Sequence, residues 1–249
     1  MEFSWELLAL LALVAFVAAL IDTLAGGGGL ITVPALLLAG LPPVQALGTN
    51  KLQASFGTLT ATVQVIRKHG VAWRDVRWPM AVAFVGSAVG SVVILMVSAG
   101  ALSIVIPIVL VCIAAYFLLV RNSHLPPPQA RMRRGTYIGT VVPAIGAYDG
   151  AFGPGTGSLF ALAGVALRGH PLRRATAAAK TLNFATNVAS LAVFVVAGKI
   201  VWLVGGAMAV GALGGAYLGT RLLLRVNPLV LRVLIVTVSV AMLARYLVG

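Results

Sequence analysis

The stretch DTLAGGGGLITVP at residues 22–34 sets a carboxylate, Asp22, in front of four consecutive glycines inside strongly apolar sequence. A similar arrangement occurs in the second half of the chain, where Asp149 precedes the sequence GPGTG at residues 153–157. Glycine runs interrupt helices because glycine has no β-carbon to restrict its backbone and is a poor helix former. The pattern predicts two broken helices, one in each of two related halves.

The composition indicates a membrane protein. Of the 249 residues, 60% are hydrophobic and only 9% are charged, and the mean hydropathy is +1.05, which is too apolar for a soluble domain. Residues 78–120 contain no Asp, Glu, Lys or Arg, and a stretch of that length holds two spans of about 20 residues each. The apolar runs are continuous, so helices are predicted rather than a barrel of alternating strands.

Most of the basic residues lie in four short connections between apolar runs. They are Arg67, Lys68, Arg74 and Arg77; Arg121, Arg131, Arg133 and Arg134; Arg168, Arg173 and Arg174; and Arg221, Arg225 and Arg232. This distribution is typical of cytoplasmic loops under the positive-inside rule. It argues against nucleic acid as a partner despite the net charge of +13, and it favours contacts with membrane lipids.

Placing these connections in the cytoplasm determines how the chain threads the membrane. The predicted segments are 5–24, 30–40, 47–66, 78–98 and 101–120, then 136–149, 158–168, 175–197, 201–222 and 229–247. In each half the first two segments enter and leave on one side, and three full crossings follow. Because three is odd, the two halves are predicted to be inserted in opposite directions.

The sequence therefore predicts an all-α polytopic membrane protein with two inverted repeats, each a glycine-broken helical hairpin plus three transmembrane helices. The first repeat covers residues 1–121, a cytoplasmic linker loop covers 122–135, and the second repeat covers 136–249. Both termini are predicted to lie outside. The small-residue patterns GSAVG at 86–90 and GALGG at 211–215 support the duplication and would let helices approach closely.

The two glycine runs, together with GTNK at residues 48–51, give the chain a resemblance to the TauE/SafE family of sulfite and organosulfonate transporters. The resemblance covers essentially the whole chain. It implies transport of small sulfur-containing anions such as sulfite or sulfoacetate, commonly export, across a bacterial cytoplasmic membrane. The second run contains Pro154 and Thr156, so the two halves of a site are not chemically equivalent.

The glycine runs supply candidate substrate-binding residues. These are Gly26, Gly27, Gly28, Gly29, Gly153, Gly155, Thr156 and Gly157. A break leaves backbone N–H groups at the start of the following helix unpaired, and such a helix N-terminus attracts anions. We expect the Thr156 hydroxyl to add a donor and the two tips to meet near the middle of the bilayer. The alternative is that the glycines only permit tight turns and close packing.

Lys51 and Lys180 occupy matching positions near the starts of apolar crossings in the two halves. A buried ammonium is costly unless it is paired, so binding the anion is one hypothesis, and snorkelling to the membrane surface is the other. Asn50, Gln53 and Asn183 lie nearby and either orient the oxygens of the anion or hold helices together.

Asp22 and Asp149 precede the two glycine runs at equivalent places. Three roles are open to them. They take part in proton coupling during transport, they are static partners of Lys51 or Lys180, or they cap the backbone N–H groups of the broken hairpins.

The predicted function is secondary transport of a small sulfur-containing anion by alternating access, with export favoured and protons as a candidate coupling ion. The alternatives are an uptake permease for another small oxyanion or organic acid, and a non-transporting membrane protein. The sequence has no HExxH zinc motif or P-loop, and its single cysteine, Cys112, excludes an intrachain disulfide. We therefore expect no enzyme activity, no metal and no cofactor, and the sequence predicts no particular oligomeric state.

Overall fold

The structure, a computed structural model, describes residues 3–68, 71–119, 129–222, 236–242 and 244–246. This part of the chain is helical and contains no strand. The helices of its first half are α1 (Trp5–Ala25), α2 (Gly29–Leu38), α3 (Pro43–Lys68), α4 (Trp73–Leu95) and α5 (Ala99–Leu119). The all-helical class predicted from the sequence is therefore confirmed.

In the second half, α6 consists of three consecutive pieces: Arg134–Thr136, the π-helix Tyr137–Val141 and Val142–Ala151. It is followed by α7 (Thr156–Arg168), α8 (Leu172–Val196) and α9 (Trp202–Leu222). Further helical residues occur at 236–242 and 244–246. Nine of the predicted segments thus match helices, whereas the tenth, 229–247, and the linker 122–135 lie partly outside the described residues.

Several of the described helices are long and apolar enough to cross a membrane. The candidate spans are Trp5–Leu24, Trp73–Leu95, Ala99–Tyr116, Leu172–Val196 and Trp202–Leu222. Helix α3 is equally long, but its polar residues lower its hydropathy and it is not among these spans. By contrast, α2 and α7 have only 10 and 13 residues, too few for a bilayer core that needs about 20.

The two glycine runs end one helix before the next begins. Gly26 takes the left-handed conformation (φ 79°) after α1 and donates its N–H to Asp22 O. Gly153 (φ 95°) and Gly155 (φ 80°) turn the chain between α6 and α7. These conformations suit glycine because they bring a β-carbon into steric conflict. The predicted break of the helix at each glycine run is confirmed.

Close helix packing occurs where the small-residue patterns predict it. A β-carbon built on Gly90 of α4 would lie 1.9 Å from Ala147 O of α6, and one on Gly215 of α9 would lie 2.0 Å from Phe16 O of α1. Each broken hairpin thus packs against a long helix of the other half, α1 against α9 and α6 against α4. The opposite insertion of the two halves stays a prediction.

Candidate functional site

The two glycine tips contact each other inside the protein. A β-carbon built on Gly26 would lie 2.7 Å from Ser158 N, and one built on Gly29 would lie 3.0 Å from Pro154 Cα. The hydroxyl of Ser158 donates to the carbonyl of Gly26 at 3.5 Å. Because α2 is buried along its length, the first tip is covered by protein rather than by lipid, as non-helical backbone at membrane depth requires.

Lys51 of α3 forms a buried ion pair with the tip of the second half. Its Nζ lies 3.1 Å from Asp149 Oδ1, and each side chain is only 1% exposed. The same ammonium donates to the carbonyl oxygen of Asp149. The Thr156 hydroxyl donates to Asp149 Oδ1 or to Gly153 O, each at 2.7 Å. This cluster, Lys51, Asp149, Gly153 and Thr156, is called the closed pair below.

Lys180 of α8 makes the reciprocal pair with the first tip. Its Nζ lies 3.9 Å from Asp22 Oδ2 and also donates to the carbonyl oxygen of Asp22. The Lys180 side chain is 5% exposed and that of Asp22 is 23% exposed. Asp22 Oδ1 accepts the N–H of Gly28 at 3.0 Å. Lys180 and Asp22, called the open pair below, are thus farther apart and more accessible than the closed pair.

The pairing decides two of the alternatives that the sequence left open. Both lysines turn into the protein interior and are buried, so snorkelling to the membrane surface is wrong. Both aspartates are partners of a lysine from the other half, and Asp22 also caps the tip by accepting the N–H of Gly28. Proton coupling by either aspartate stays a prediction.

A small space next to Gly157 is bordered by hydrogen-bond donors. A β-carbon built on Gly157 would lie 3.6 Å from Asn183 Nδ2, 3.9 Å from Lys180 Nζ and 3.5 Å from Gly26 Cα. Asn183 Oδ1 accepts a hydrogen bond from Asn187 Nδ2 at 3.2 Å, which leaves the Nδ2 group of Asn183 for another partner. Within the described residues, neither Asn183 Nδ2 nor the N–H of Gly157 has an acceptor.

Three other polar side chains brace the first tip. Asn50 Oδ1 accepts from the Thr32 hydroxyl at 2.6 Å and from Gln53 Nε2 at 2.8 Å. Since Thr32 belongs to α2 and Asn50 to α3, the bond between them holds the two helices together, and the bond from Gln53, within α3, fixes the Asn50 amide. The substrate-binding role predicted for Asn50 and Gln53 is untested by this geometry and stays a prediction.

The backbone at the start of α2 differs from the sequence-based expectation. The N–H of Leu30 donates to Gly27 O and that of Ile31 donates to Gly28 O, each at 3.0 Å. The expectation that the first N–H groups of this helix are unpaired is therefore wrong for these two residues. A short turn with i to i+3 bonds satisfies them locally, as is common at helix ends.

Sequence reasoning did not single out Thr32 or Ser158. Thr32 is the polar residue in an otherwise apolar α2, and Ser158 follows directly after the second glycine run. An isolated hydroxyl in a buried segment is a signal that a polar partner lies nearby, since buried polar groups are generally hydrogen-bonded. In the described part of the chain, no group of three or more His, Cys, Asp or Glu residues is arranged to hold a metal ion.

Comparison with known proteins identifies the family of the chain. A family model described as Sulfite exporter TauE/SafE matches residues 11–246, which is nearly the whole sequence. The chain belongs to the TauE/SafE family. Its tips, lysines and aspartates are therefore parts of a multi-pass membrane transporter.

Relatives of this TauE/SafE protein match it from end to end. A "Probable membrane transporter protein" of Haemophilus influenzae is 41% identical over 245 residues, covering 98% of this chain and 96% of the relative. "Probable membrane transporter protein YfcA" of Escherichia coli K12 is 43% identical over 241 residues, covering 97% and 90%. "Probable membrane transporter protein ORF9" of Sinorhizobium sp is 41% identical over 247 residues, covering 99% and 94%. No solved structure gives a significant match.

Proposed function

We propose that this protein exports a small sulfur-containing oxyanion, such as sulfite or a short sulfonate, across the bacterial cytoplasmic membrane by alternating access. Two findings support the proposal. The matching family is described as a sulfite exporter. The space next to Gly157, bordered by the Lys180 ammonium and the Asn183 amide, is the single observation that carries it.

The open pair is the part of the site that binds the substrate. A β-carbon on Gly157 would already be in van der Waals contact with Gly26, Asn183 and Lys180, so the two tips have to separate to admit an oxyanion. The anion then accepts hydrogen bonds from Lys180 Nζ, Asn183 Nδ2 and the Gly157 N–H, and these donors match the several oxygens of a sulfite or sulfonate group. A charge-assisted bond to an ammonium is about twice as strong as a neutral one. The substrate therefore competes with Asp22 for Lys180.

The closed pair holds the second tip in position while this exchange takes place. Lys51 and Asp149 are nearer to each other than Lys180 and Asp22 are, and Thr156 supplies an additional hydrogen bond. A β-carbon on Gly153 would lie 2.9 Å from Lys51 Nζ, so no space for a ligand lies between them. The two halves of the site therefore have different roles, as the departure of their sequences from strict repetition already suggested.

Release of Asp22 from Lys180 provides a route to proton coupling. The Asp22 side chain is 23% exposed and keeps its hydrogen bond from the N–H of Gly28, so loss of Lys180 leaves a partly buried carboxylate without its countercharge. Uptake of a proton by Asp22 removes that charge. We infer that substrate binding at Lys180 and protonation of Asp22 occur together, so that one proton is carried in the same direction as each anion.

Proteoliposomes test the proposal. Counterflow of labelled sulfite, sulfate, thiosulfate and small sulfonates is measured with the wild type and with Lys180→Gln. We expect sulfite or a small sulfonate to be transported, and we expect Lys180→Gln to raise its KM at least about tenfold, since loss of one ionic contact costs more than 1.4 kcal/mol. Absence of counterflow for all of these anions would exclude the proposed substrate class, and an unchanged KM would remove Lys180 from the site.

A further inference from the structure

A second feature of the protein is a cavity of about 860 Å³ between α4, α6, α7 and α8. Its basic lining residues are Arg134, Arg168, His170, Arg173 and Arg174, and its one acidic lining residue is Asp75. The cavity lies on the side that the positive-inside rule predicts to be cytoplasmic. None of its lining residues belongs to the open or the closed pair.

The charges of this cavity do not cancel. Asp75 is paired with Arg174 at 3.2 Å, and the same residue accepts from Arg134 through its carbonyl oxygen at 3.4 Å. The Arg168 guanidinium donates to the carbonyl oxygen of Met132, which is neutral. One carboxylate thus faces four guanidinium groups, and the excess positive charge makes the interior of the cavity attractive to anions.

The inner wall of the cavity is built from the same two helices as the proposed substrate space, α8 with Lys180 and α7 with Gly157. On α8 the lining residue Ala179 directly precedes Lys180, and the lining residue Leu182 directly precedes Asn183. On α7 the lining residue Phe160 follows Gly157 by three positions, about one helical turn. Phe160 and Leu182 are both buried. Together with Ala179 they belong to one buried hydrophobic cluster.

We propose that this cavity is an anion vestibule, a second binding site that collects the small oxyanion from water before it reaches Lys180. The inference rests on the proposed function, because it names the entry route to that site. Arg173 and Arg174 at the rim attract the anion, and separation of Phe160 from Leu182 admits it to the space next to Gly157. The ligand is a free small oxyanion, since the inner end of the cavity leads to the open pair.

Thiol labelling tests the vestibule without requiring transport. Ala178, a lining residue, is changed to Cys in a Cys112→Ser background, and the labelling rates of an anionic and a cationic methanethiosulfonate reagent are compared. We expect the anionic reagent to react about tenfold faster, as electrostatic focusing accelerates association. Arg173→Gln combined with Arg174→Gln should lower the ratio towards that of a control cysteine at Ala99, although Arg134 and Arg168 keep part of the positive charge. The proposal would be overturned if the Ala178→Cys protein, with all its arginines present, gave the same ratio of anionic to cationic labelling rates as the control cysteine at Ala99.

Added ligands distinguish a free anion from a lipid headgroup. In nanodiscs of neutral phosphatidylcholine, sulfate should slow labelling of the Ala178→Cys protein, and it should not do so after the double arginine change. Protection by anionic lipid without protection by sulfate would assign the cavity to a lipid headgroup and overturn the proposal.

Transport measurements separate this inference from the proposed function. In proteoliposomes the double arginine variant should raise the KM for the transported anion about tenfold while the maximal rate is retained. Transport with an unchanged KM would reject the vestibule and leave the transporter proposal intact. Anion-protected labelling in a protein that moves none of the tested anions would support the vestibule and reject the proposed function.

Discussion

Lys51 Nζ and Asp149 Oδ1 lie 3.1 Å apart, although 98 residues separate Lys51 from Asp149 in the sequence. The pair joins α3 of the first half to α6 of the second, immediately before the second glycine tip. Because both side chains are almost fully buried, neither charge is compensated by water if its partner is removed. Breaking this pair should therefore cost more stability than breaking the exposed pair that the described residues show, Arg174 with Asp75.

Lys51→Met should destabilise the protein strongly. It leaves Asp149 as an unpaired buried carboxylate, and breaking a buried pair typically costs about 3–5 kcal/mol. The double change Lys51→Met with Asp149→Leu removes both charges and should recover most of the loss. Thermal unfolding in detergent measures the difference.

The exposed pair between Arg174 and Asp75 is the control for this measurement. Its side chains are 58% and 49% exposed, so Arg174→Gln should cost at most about 1 kcal/mol. If Lys51→Met cost no more than this control, Lys51 and Asp149 would not hold the tip in place.

Gly157→Ala should stop transport without unfolding the protein. The added methyl group would lie 3.5–3.9 Å from Gly26, Asn183 and Lys180, which is ordinary van der Waals contact, yet it fills the space assigned to the substrate. Alanine also suits a helix better than glycine does by about 1 kcal/mol. We expect wild-type thermal stability and a loss of anion counterflow.

Two other glycines provide controls for Gly157→Ala. A β-carbon on Gly206 has no atom within 4 Å, so Gly206→Ala should keep both stability and transport. Gly26 has φ 79° and a β-carbon there would lie 2.7 Å from Ser158, so Gly26→Ala should lower stability as well as transport. Full transport by Gly157→Ala would show that the substrate does not occupy this space.

Asp22→Asn should change the pH dependence of transport, whereas Asp149→Asn should not. Asp22 belongs to the open pair, where the proposed exchange frees it to take up a proton, and Asp149 stays bonded to Lys51 and Thr156. Initial rates of anion transport are measured in proteoliposomes over a series of pH values. The rates of each variant are normalised to the maximum of that variant, and the two pH profiles are compared with that of the wild type. An unchanged profile in both variants would remove proton coupling through these carboxylates.

Much of this fold follows from local sequence properties. Continuous apolar runs predict helices because the backbone must satisfy its own hydrogen bonds in lipid, and the glycine runs predict the breaks. The bounds of α1 and α9 differ from the predicted segments by one residue. Helix α3 extends from 43 to 68 instead of 47 to 66, because polar residues near both ends continue the helix beyond the apolar run.

The arrangement of the site was less accessible to sequence reasoning. Equivalent positions of Lys51 and Lys180 indicated a shared function, but which aspartate each lysine meets depends on how α3 and α8 pack against the two tips. The lysine-to-aspartate distance is 3.1 Å for Lys51 and Asp149 but 3.9 Å for Lys180 and Asp22, and this difference also results from packing. The basic cavity was missed because its arginines also fit the simpler interpretation of cytoplasmic topology signals.

Cysteine accessibility tests the predicted orientation. In a Cys112→Ser background, a cysteine at Ala99, at the start of α5, should react with a membrane-impermeant reagent added to intact cells. A cysteine at Gln129 should react only after the membrane is opened. Both positions are exposed in the structure, so burial does not limit either reaction. The reverse labelling pattern would invert the orientation and place the vestibule outside the cell.

His170 lies at the vestibule and provides a pH-dependent charge. Burial lowers the pKa of His170 below its ordinary value of 6.5, and the neighbouring Arg174, Arg168 and Arg134 lower that pKa further, while Asp75 opposes them. The histidine is therefore neutral at neutral pH. Because its pKa is lowered, it becomes positively charged at a lower pH than an unperturbed histidine does.

The charge of His170 should alter labelling at Ala178→Cys. The ratio of anionic to cationic reagent rates cancels the ionisation of the thiol itself and follows the charge of the cavity. This ratio should increase as the pH falls and His170 becomes cationic, with its midpoint below the ordinary histidine value of 6.5. In His170→Gln it should stay level throughout. An increase centred above pH 6.5, or the same increase in His170→Gln, would show that another group controls the charge of the vestibule.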